Sequence, residues 1–384
     1  MERKEMRSIL FVDDEVNVLQ GLRRMLRSMR REWDISFAPG GGDALDMMFD
    51  KTFDAVVSDI RMPGMSGFEF LTEVKKRYPM TARLVLSGTA DKKDMLEAVG
   101  LIHQYLPKPC DAEILKTTLS RLFSHFELIS SEKLKRLISQ LGAIPSLPTI
   151  YGEVMELIVT PDVTTKKLGE IINKDIGMSS KLLQLVNSPF LGRRHHVSSP
   201  AEAAEFAGIE IIHDLAMKIE VFFPMAGEEI ERFQLEPLWE HSILVGDTSR
   251  KIALAEQADT ETVDFCYIAG LLHDVGKLVF SQILPDEYDS LKKLARDDPS
   301  SMPKQEKRSF EASHAEAGAF LLGLWGLPEP IVKAVADHHH PPGKGEVFSP
   351  RIAVFASNIM GHGGNLEQAL GTEWGDKIGK WTNV

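Results

Sequence analysis

Val56-Val57-Ser58 ends in Asp59, and turn-forming residues follow in Arg61-Met62-Pro63-Gly64. An apolar, β-branched run closed by Pro and Gly predicts a buried parallel strand whose last residue emerges at the carboxyl edge of a sheet, where open α/β folds place their chemistry. Asp59 is therefore a candidate nucleophile. Ile9-Leu10-Phe11-Val12 ends likewise in Asp13-Asp14, so neighbouring strands bring three carboxylates to one edge. Like charges that close raise one another's pKa unless a cation sits among them, and an all-oxygen set suits a hard divalent ion such as Mg²⁺. Leu84-Val85-Leu86 delivers Ser87, and His103-Gln104-Tyr105-Leu106-Pro107 delivers Lys108. A carboxylate can serve as a nucleophile, a metal offsets the charge, and a lysine adds a donor and a positive charge. One strand-end aspartate is commonly a helix cap or turn former. Five polar groups ending successive strands favour a shared site instead. Cys110 reads as an ordinary residue at a helix start.

Helical patterns alternate with these strands at Val16–Met29, Gly41–Phe49, Gly67–Arg77, Lys92–Val99 and Ala112–Phe126. That alternation predicts a doubly wound, five-stranded parallel sheet of the flavodoxin-like type over residues 1–126. Leu115, Leu119, Leu122, Phe126 and Ile129 extend an apolar stripe past the last helix. Two readings stay open for it: pairing with its twin in a homodimer, or packing on the chain's own next domain. Ser130-Ser131 can break the helix before Leu134, Leu137, Ile138 and Leu141, which makes 127–142 a helical linker.

Beyond Gly142 strand signals almost vanish, and helical patterns punctuated by Gly and Pro dominate: an all-α module. Helices are expected at Ile150–Val159, Leu168–Asn173 and Ser179–Asn187. Asp297 to Lys307 reads as an exposed loop, and Phe222, Phe223 and Trp325 as core. Residues 363–384 form a weakly patterned tail with no assigned role. No repeat or low-complexity tract stands out.

A chain of 384 residues holds two or three domains, and 43% hydrophobic with 26% charged residues is ordinary for a soluble globular protein. The net charge of −12 argues against a general nucleic-acid surface, and no basic stripe stands out. Two cysteines, Cys110 and Cys266, cannot make a disulfide framework. With no signal-like start and no bilayer-length apolar stretch, a cytoplasmic location is expected and a membrane partner is not.

The first third, roughly residues 6 to 126, resembles the receiver domain of two-component response regulators. The resemblance implies that Asp59 accepts a phosphoryl group from a sensor histidine kinase or phosphotransfer protein. Asp14, Asp59 and the backbone carbonyl of Arg61 would bind Mg²⁺, with Asp13 acting through water. Ser87 and Lys108 would hold phosphoryl oxygens, Tyr105 would be the aromatic switch, and the Lys108-Pro109 peptide would be cis.

Asn173-Lys174-Asp175-Ile176-Gly177-Met178, Lys181 to Ser188 with its continuation to Gly192, and Leu271-Leu272-His273-Asp274-Val275-Gly276-Lys277 resemble the HDOD family, relatives of the HD metal-dependent phosphohydrolases. The output domain is then 143–362, with an HD-like part from about 238. By that resemblance His241, His273, Asp274, His314, His338 and His339 occupy metal-ligand positions, with Zn, Mn or Fe as candidate ions. The last ligand departs from the pattern: Asn358 stands where catalytic relatives carry aspartate, so the site loses a negative charge. The glycine-tyrosine-proline signature of cyclic-di-GMP-cleaving relatives is also missing after His340. Lys277 is expected to cap the helix carrying His273, and Ser313 with Glu316 to form a capping box that projects His314. The sequence thus points to a phosphorylation-controlled output acting through contacts with a downstream signalling protein. The rival is a metal-dependent phosphodiesterase for a cyclic nucleotide or dinucleotide.

Overall fold

The computed structural model describes residues 6–87, 100–158, 160, 163–187, 197, 199–217, 223–224, 227–343, 345–371 and 374–383. The strands β1 (Arg7–Val12), β2 (Trp33–Ala38), β3 (Ala55–Ser58), β4 (Ala82–Ser87) and β5 (Gln104–Pro107) form one parallel sheet in the order β2-β1-β3-β4-β5. Helices α1 (Val16–Met25), α2 (Gly41–Asp50), α3 (Gly67–Arg77) and α4 (Ala112–Phe126) flank it, as the alternation of patterns requires. The helix expected at Lys92–Val99 lies outside the described residues. Register decides the chemistry. Val12 pairs with Ser58, so the next residues, Asp13 and Asp59, leave the sheet side by side. Ser87 pairs with Pro107, which sets Lys108 one step beyond the end of β4.

The first helix is shorter than its pattern: after Met25 it tightens into a 3₁₀ turn over Leu26–Arg31. Leu19, Leu22, Leu26 and Met29 turn inward along both pieces, and Arg23, Arg24, Arg27, Arg30 and Arg31 are exposed. The acidic total therefore conceals a local basic surface, against the sequence reading.

The stripe on α4 packs within the chain. Leu115, Leu119, Leu122, Phe126 and Ile129 are buried, and Phe126 meets Phe320 edge-on at 5.4 Å between ring centroids. Each such side chain contributes about 1.5–3 kcal/mol on burial, so the stripe is committed and is not the seam of a dimer. Nor does α4 run unbroken into the linker. It ends at Glu127, and the Ser131 hydroxyl accepts from the Leu134 amide to start α5 (Glu132–Ile138).

The remainder is helical: α6 (Pro148–Ile158), α7 (Thr165–Ile172), α8 (Ile176–Val186), α9 (Pro200–Met217), α10 (Gly227–Phe233), α11 (Leu235–Ala255), α12 (Thr260–Leu272), α13 (Val275–Ile283) and α14 (Pro285–Leu294). Then come α15 (Met302–Phe310), α16 (His314–Leu324), α17 (Glu329–Asp337), α18 (Pro350–Gly361), α19 (Leu366–Leu370) and α20 (Gly375–Trp381). A two-residue parallel bridge joins Pro145-Ser146 to Phe223-Pro224. The side chains of Phe222 and Phe223, and the motif from Ser188 to Gly192, lie outside the described residues.

Two expectations need correction. Asp297 to Lys307 is not a loop, because Met302–Phe310 is helical with Pro303 in its first turn, where a missing N–H costs nothing. Its polar residues face out while Glu306 is fully buried. The tail is not idle either: Leu366, Leu370, Trp374, Ile378 and Trp381 share an apolar cluster with Ile252, Val263 and Ile352. Among the described residues no helix is long and apolar enough to cross a membrane.

Candidate functional site

At the carboxyl edge of the sheet Asp13, Asp14 and Asp59 each offer a carboxylate oxygen, all within 4.8 Å of one another. The Lys108 ammonium bridges two of them, donating to Asp13 Oδ2 at 2.7 Å and lying 3.0 Å from Asp59 Oδ1. The other Asp13 oxygen accepts from the Glu15 amide at 3.0 Å, which aims the carboxylate. Asp59 is fixed from behind. Its amide donates to Val12 O, and Gly67 packs so closely on its carbonyl that a Cβ there would lie 2.0 Å from the oxygen. No sequence pattern flagged Gly67.

Burial pushes the Asp59 carboxyl above its ordinary value, although the Lys108 hydrogen bond and charge pull it down. Burial also opposes the Lys108 charge, but the bonds to Asp13 and Asp59 outweigh it and the ammonium is held more strongly than usual. An oxygen-only set with a buried carboxyl short of positive charge fits a hard divalent cation. Arg61, whose carbonyl the resemblance assigns to that ion, follows β3 in the loop, and Ser87 closes β4. Tyr105 is buried in the cluster that holds Val85, Ile102 and Ile60, so its ring already lies inward. The Lys108-Pro109 peptide is cis.

The second group of predicted residues also converges, from α11, α12, α16, α17 and α18. His273 and His338 each close a helix and donate Nδ1–H to a carbonyl three residues back, Gly270 O and Val335 O, both at 2.7 Å. That fixes Nε2 as the free lone pair on each ring. The capping box of Ser313 and Glu316 sets His314 as the first residue of α16, where its Nδ1 donates to Glu306 Oε2 at 2.6 Å. Asp274 Oδ1 lies 3.3 Å from His314 Nε2 and 3.7 Å from His338 Nε2. His314 and His339 bring their Nε2 atoms to 2.9 Å, a hydrogen-bond distance and shorter than the roughly 3.3 Å between two nitrogens of a tetrahedral zinc site.

Three atoms here are buried without a hydrogen-bond partner: His273 Nε2, His338 Nε2 and Asp274 Oδ1. Buried lone pairs without partners are costly unless a cation takes them. Burial holds His338 well below its ordinary pKa, and pushes His241 to about 4 and His339 to about 2. Those rings are neutral at pH 7, the form that ligates metal. Asp274 is held ionised well below the carboxylate range: burial opposes this, and the adjacent His273 ring together with the Lys277 ammonium overcomes it.

Asn358 and His241 answer each other instead. His241 Nε2 donates to Asn358 Oδ1 at 3.0 Å, which leaves Nδ1 as the lone pair of a ring that shares a ligand-sized group with His273 and Asp274. Lys277 does not cap the preceding helix; its ammonium donates to Asp274 Oδ2 at 2.6 Å. Sequence reasoning missed Glu306, because its helix was read as a loop, and His362, whose ring stacks on His241 at 4.4 Å.

Residues 144–341, just over half of the chain, match the HDOD domain, and residues 9–120 match the response regulator receiver domain. An uncharacterized protein of Treponema pallidum is 28% identical over 213 residues, 56% of this chain and 41% of its own length. The transcriptional regulatory protein ZraR of Escherichia coli K12 is 29% identical over 178 residues, 46% of this chain and 39% of its own length. The chain thus spans about two fifths of the length of these curated relatives. The crystal structure of the MmoQ response regulator from Methylococcus capsulatus shares the fold, with TM-score 0.51 at 22% identity over 62% of this chain and 92% of that one.

Proposed function

The chain belongs to the HDOD family and carries a response regulator receiver domain ahead of that module, and from this premise we propose that phosphorylation of Asp59 controls the HDOD module, which acts on a downstream signalling protein by contact. The single observation that carries the reading is Lys108 held between Asp13 and Asp59, 2.7 and 3.0 Å away, at an edge that also offers Asp14. In the division we favour, residues 1–126 receive the phosphoryl group, 127–142 link and 143–362 respond.

The carboxylate of Asp59 forms a P–O bond as the P–N bond to the donor's phosphohistidine breaks and the imidazole leaves; Asp14, Asp59 and the Arg61 carbonyl, with Asp13 behind, would hold a Mg²⁺ whose positive charge would offset that of the phosphoryl oxygens. Lys108 then exchanges a carboxylate oxygen for a phosphoryl oxygen, and Ser87 takes another. Since the Tyr105 ring is already inside, the consequence passes along β5 and α4 rather than through a large turn of that ring. The proposed donor is a sensor histidine kinase or phosphotransfer protein. Incubation with acetyl phosphate and Mg²⁺ is expected to label wild type at Asp59 and to leave Asp59→Asn unlabelled; equal labelling of both removes the reading.

The orphaned atoms around His273 favour a second reading, that the HDOD module holds a transition-metal ion at the cluster of His273, Asp274, His314 and His338, with His241 beside the first pair and His339 beside the second. Hydrolysis of a cyclic nucleotide or dinucleotide is less favoured, because Asn358 supplies no charge and engages His241. Metal analysis of purified wild type and His273→Ala separates these cases: wild type is expected to carry the ion and the variant to lose it.

A further inference from the structure

The two sites are joined by one helix that is tight at both ends. At its C-terminal end the Gln104 amide, on β5, donates to Gly323 O and Leu324 O at 3.1 Å each, two of the carbonyls that a helix end leaves without partners. The His125 ring of α4 lies so close to Gly323 that a Cβ there would be 2.3 Å from Nδ1, and the same ring reaches Glu329 at 3.0 Å. Gln104 is the immediate neighbour of Tyr105, and Lys108 lies four residues on.

At the N-terminal end stands His314. Its carbonyl would lie 1.8 Å from a Cβ on Gly276, and a Cβ on Gly318 would lie 2.8 Å from Val275 Cγ1. Val275 and Gly276 directly follow Asp274. Helix α16 has 11 residues, all but Glu316 buried, and is about 16 Å long. Packed helices shift as units because their interfaces are not continuously deformable. A displacement of β5 and α4 therefore reaches the spacing between His314 and Asp274.

We propose that α16 is a strut through which a phosphoryl group at Asp59 and a divalent cation at His273, Asp274, His314 and His338 change each other's affinity. The inference rests on both readings given above and adds the regulation of the second site by the first. It also runs backwards: by linkage the cation alters phosphoryl-group binding by the same factor.

The test uses the full chain in constant, saturating Mg²⁺, with zinc ion as the probe and beryllofluoride as the phosphoryl mimic. Zinc affinity is expected to shift about fivefold or more when beryllofluoride is added, and beryllofluoride affinity to shift by the same factor when zinc is added. Gln104→Ala is expected to shrink both shifts while leaving each affinity alone unchanged, and His125→Ala loosens the same end independently. Zinc affinity that is equal with and without beryllofluoride overturns the strut with both sites intact. Zinc binding indifferent to His273→Ala overturns the metal reading, and wild type that fails to bind beryllofluoride overturns the receiver reading.

Discussion

Glu306 Oε2 lies 2.6 Å from Nδ1 of His314 and 2.8 Å from the backbone nitrogen of the same residue. One buried carboxylate thus fixes both the ring and the helix start that carries it. Glu306→Ala leaves two donors unpaired, and zinc affinity is expected to fall about 10–100-fold, the range for lost partners of metal ligands. Competition titration against a chelator of known affinity reads this out; an unchanged affinity detaches Glu306 from the site.

Asn358 occupies the position where a charge is missing, bonded to His241. Asn358→Asp restores a carboxylate, and zinc binding is expected to tighten by about tenfold because one more anionic oxygen faces the cluster. If the substitution weakens binding, the late helix does not contribute to that site.

At the sheet edge, removal of the bridging ammonium should separate phosphorylation from response. Beryllofluoride is expected to change the small-angle scattering of wild type, and Lys108→Ala to label with acetyl phosphate yet to show no such change, since nothing then draws β5 toward the new dianion. Identical scattering responses in the two proteins would refute this role.

Gly323 has no room for a side chain against His125, whereas Gly152, inside α6, has nothing within 4 Å of its would-be Cβ. Gly323→Ala is expected to cost about 1–3 kcal/mol through overpacking between the modules. Gly152→Ala should instead gain about 0.5–1 kcal/mol. Urea unfolding of the pair distinguishes a close interface from a loose one, and equal effects would deny the close packing.

His103 supplies a pH dependence. Its Nδ1 accepts from the Arg83 amide at 3.1 Å, and Nε2 and Arg83 Nη2 both reach Ser139 O, at 3.1 and 3.0 Å. Burial first, and then the charges of Arg83, Lys75 and Lys181, hold it well below its ordinary 6.5. Above that pH the ring is neutral whether folded or unfolded, so it adds no pH dependence. Below it the unfolded chain takes up a proton that the folded chain refuses, and stability falls with pH by at most about 1.4 kcal/mol per unit. His103→Gln is expected to lose less stability than wild type between pH 6.5 and 5. The histidine cluster is common to both proteins, so the difference isolates His103; parallel curves would remove it.

Much of the molecule was legible in one dimension. Apolar runs of four to six residues ending in Asp13, Asp59, Ser87 and Lys108 can only be buried parallel strands, and a sheet delivers strand ends to one edge whatever happens elsewhere. His241, His273, Asp274, His314 and His338 were recognised through the resemblance to the HDOD family and not through any periodicity. The local capping box of Ser313 and Glu316 was readable because its partners lie three residues apart.

Tertiary structure alone decided the rest, because the deciding partners are distant in sequence. Whether the α4 stripe met a twin or its own chain depended on Phe320, nearly two hundred residues away. Glu306 looked like loop polarity until folding set it under His314, and Asn358 became a partner of His241 rather than a vacant ligand. Periodicity reports which face of an element is apolar; it carries no term for what that face, or a lone carboxylate among lysines and serines, will meet across the fold.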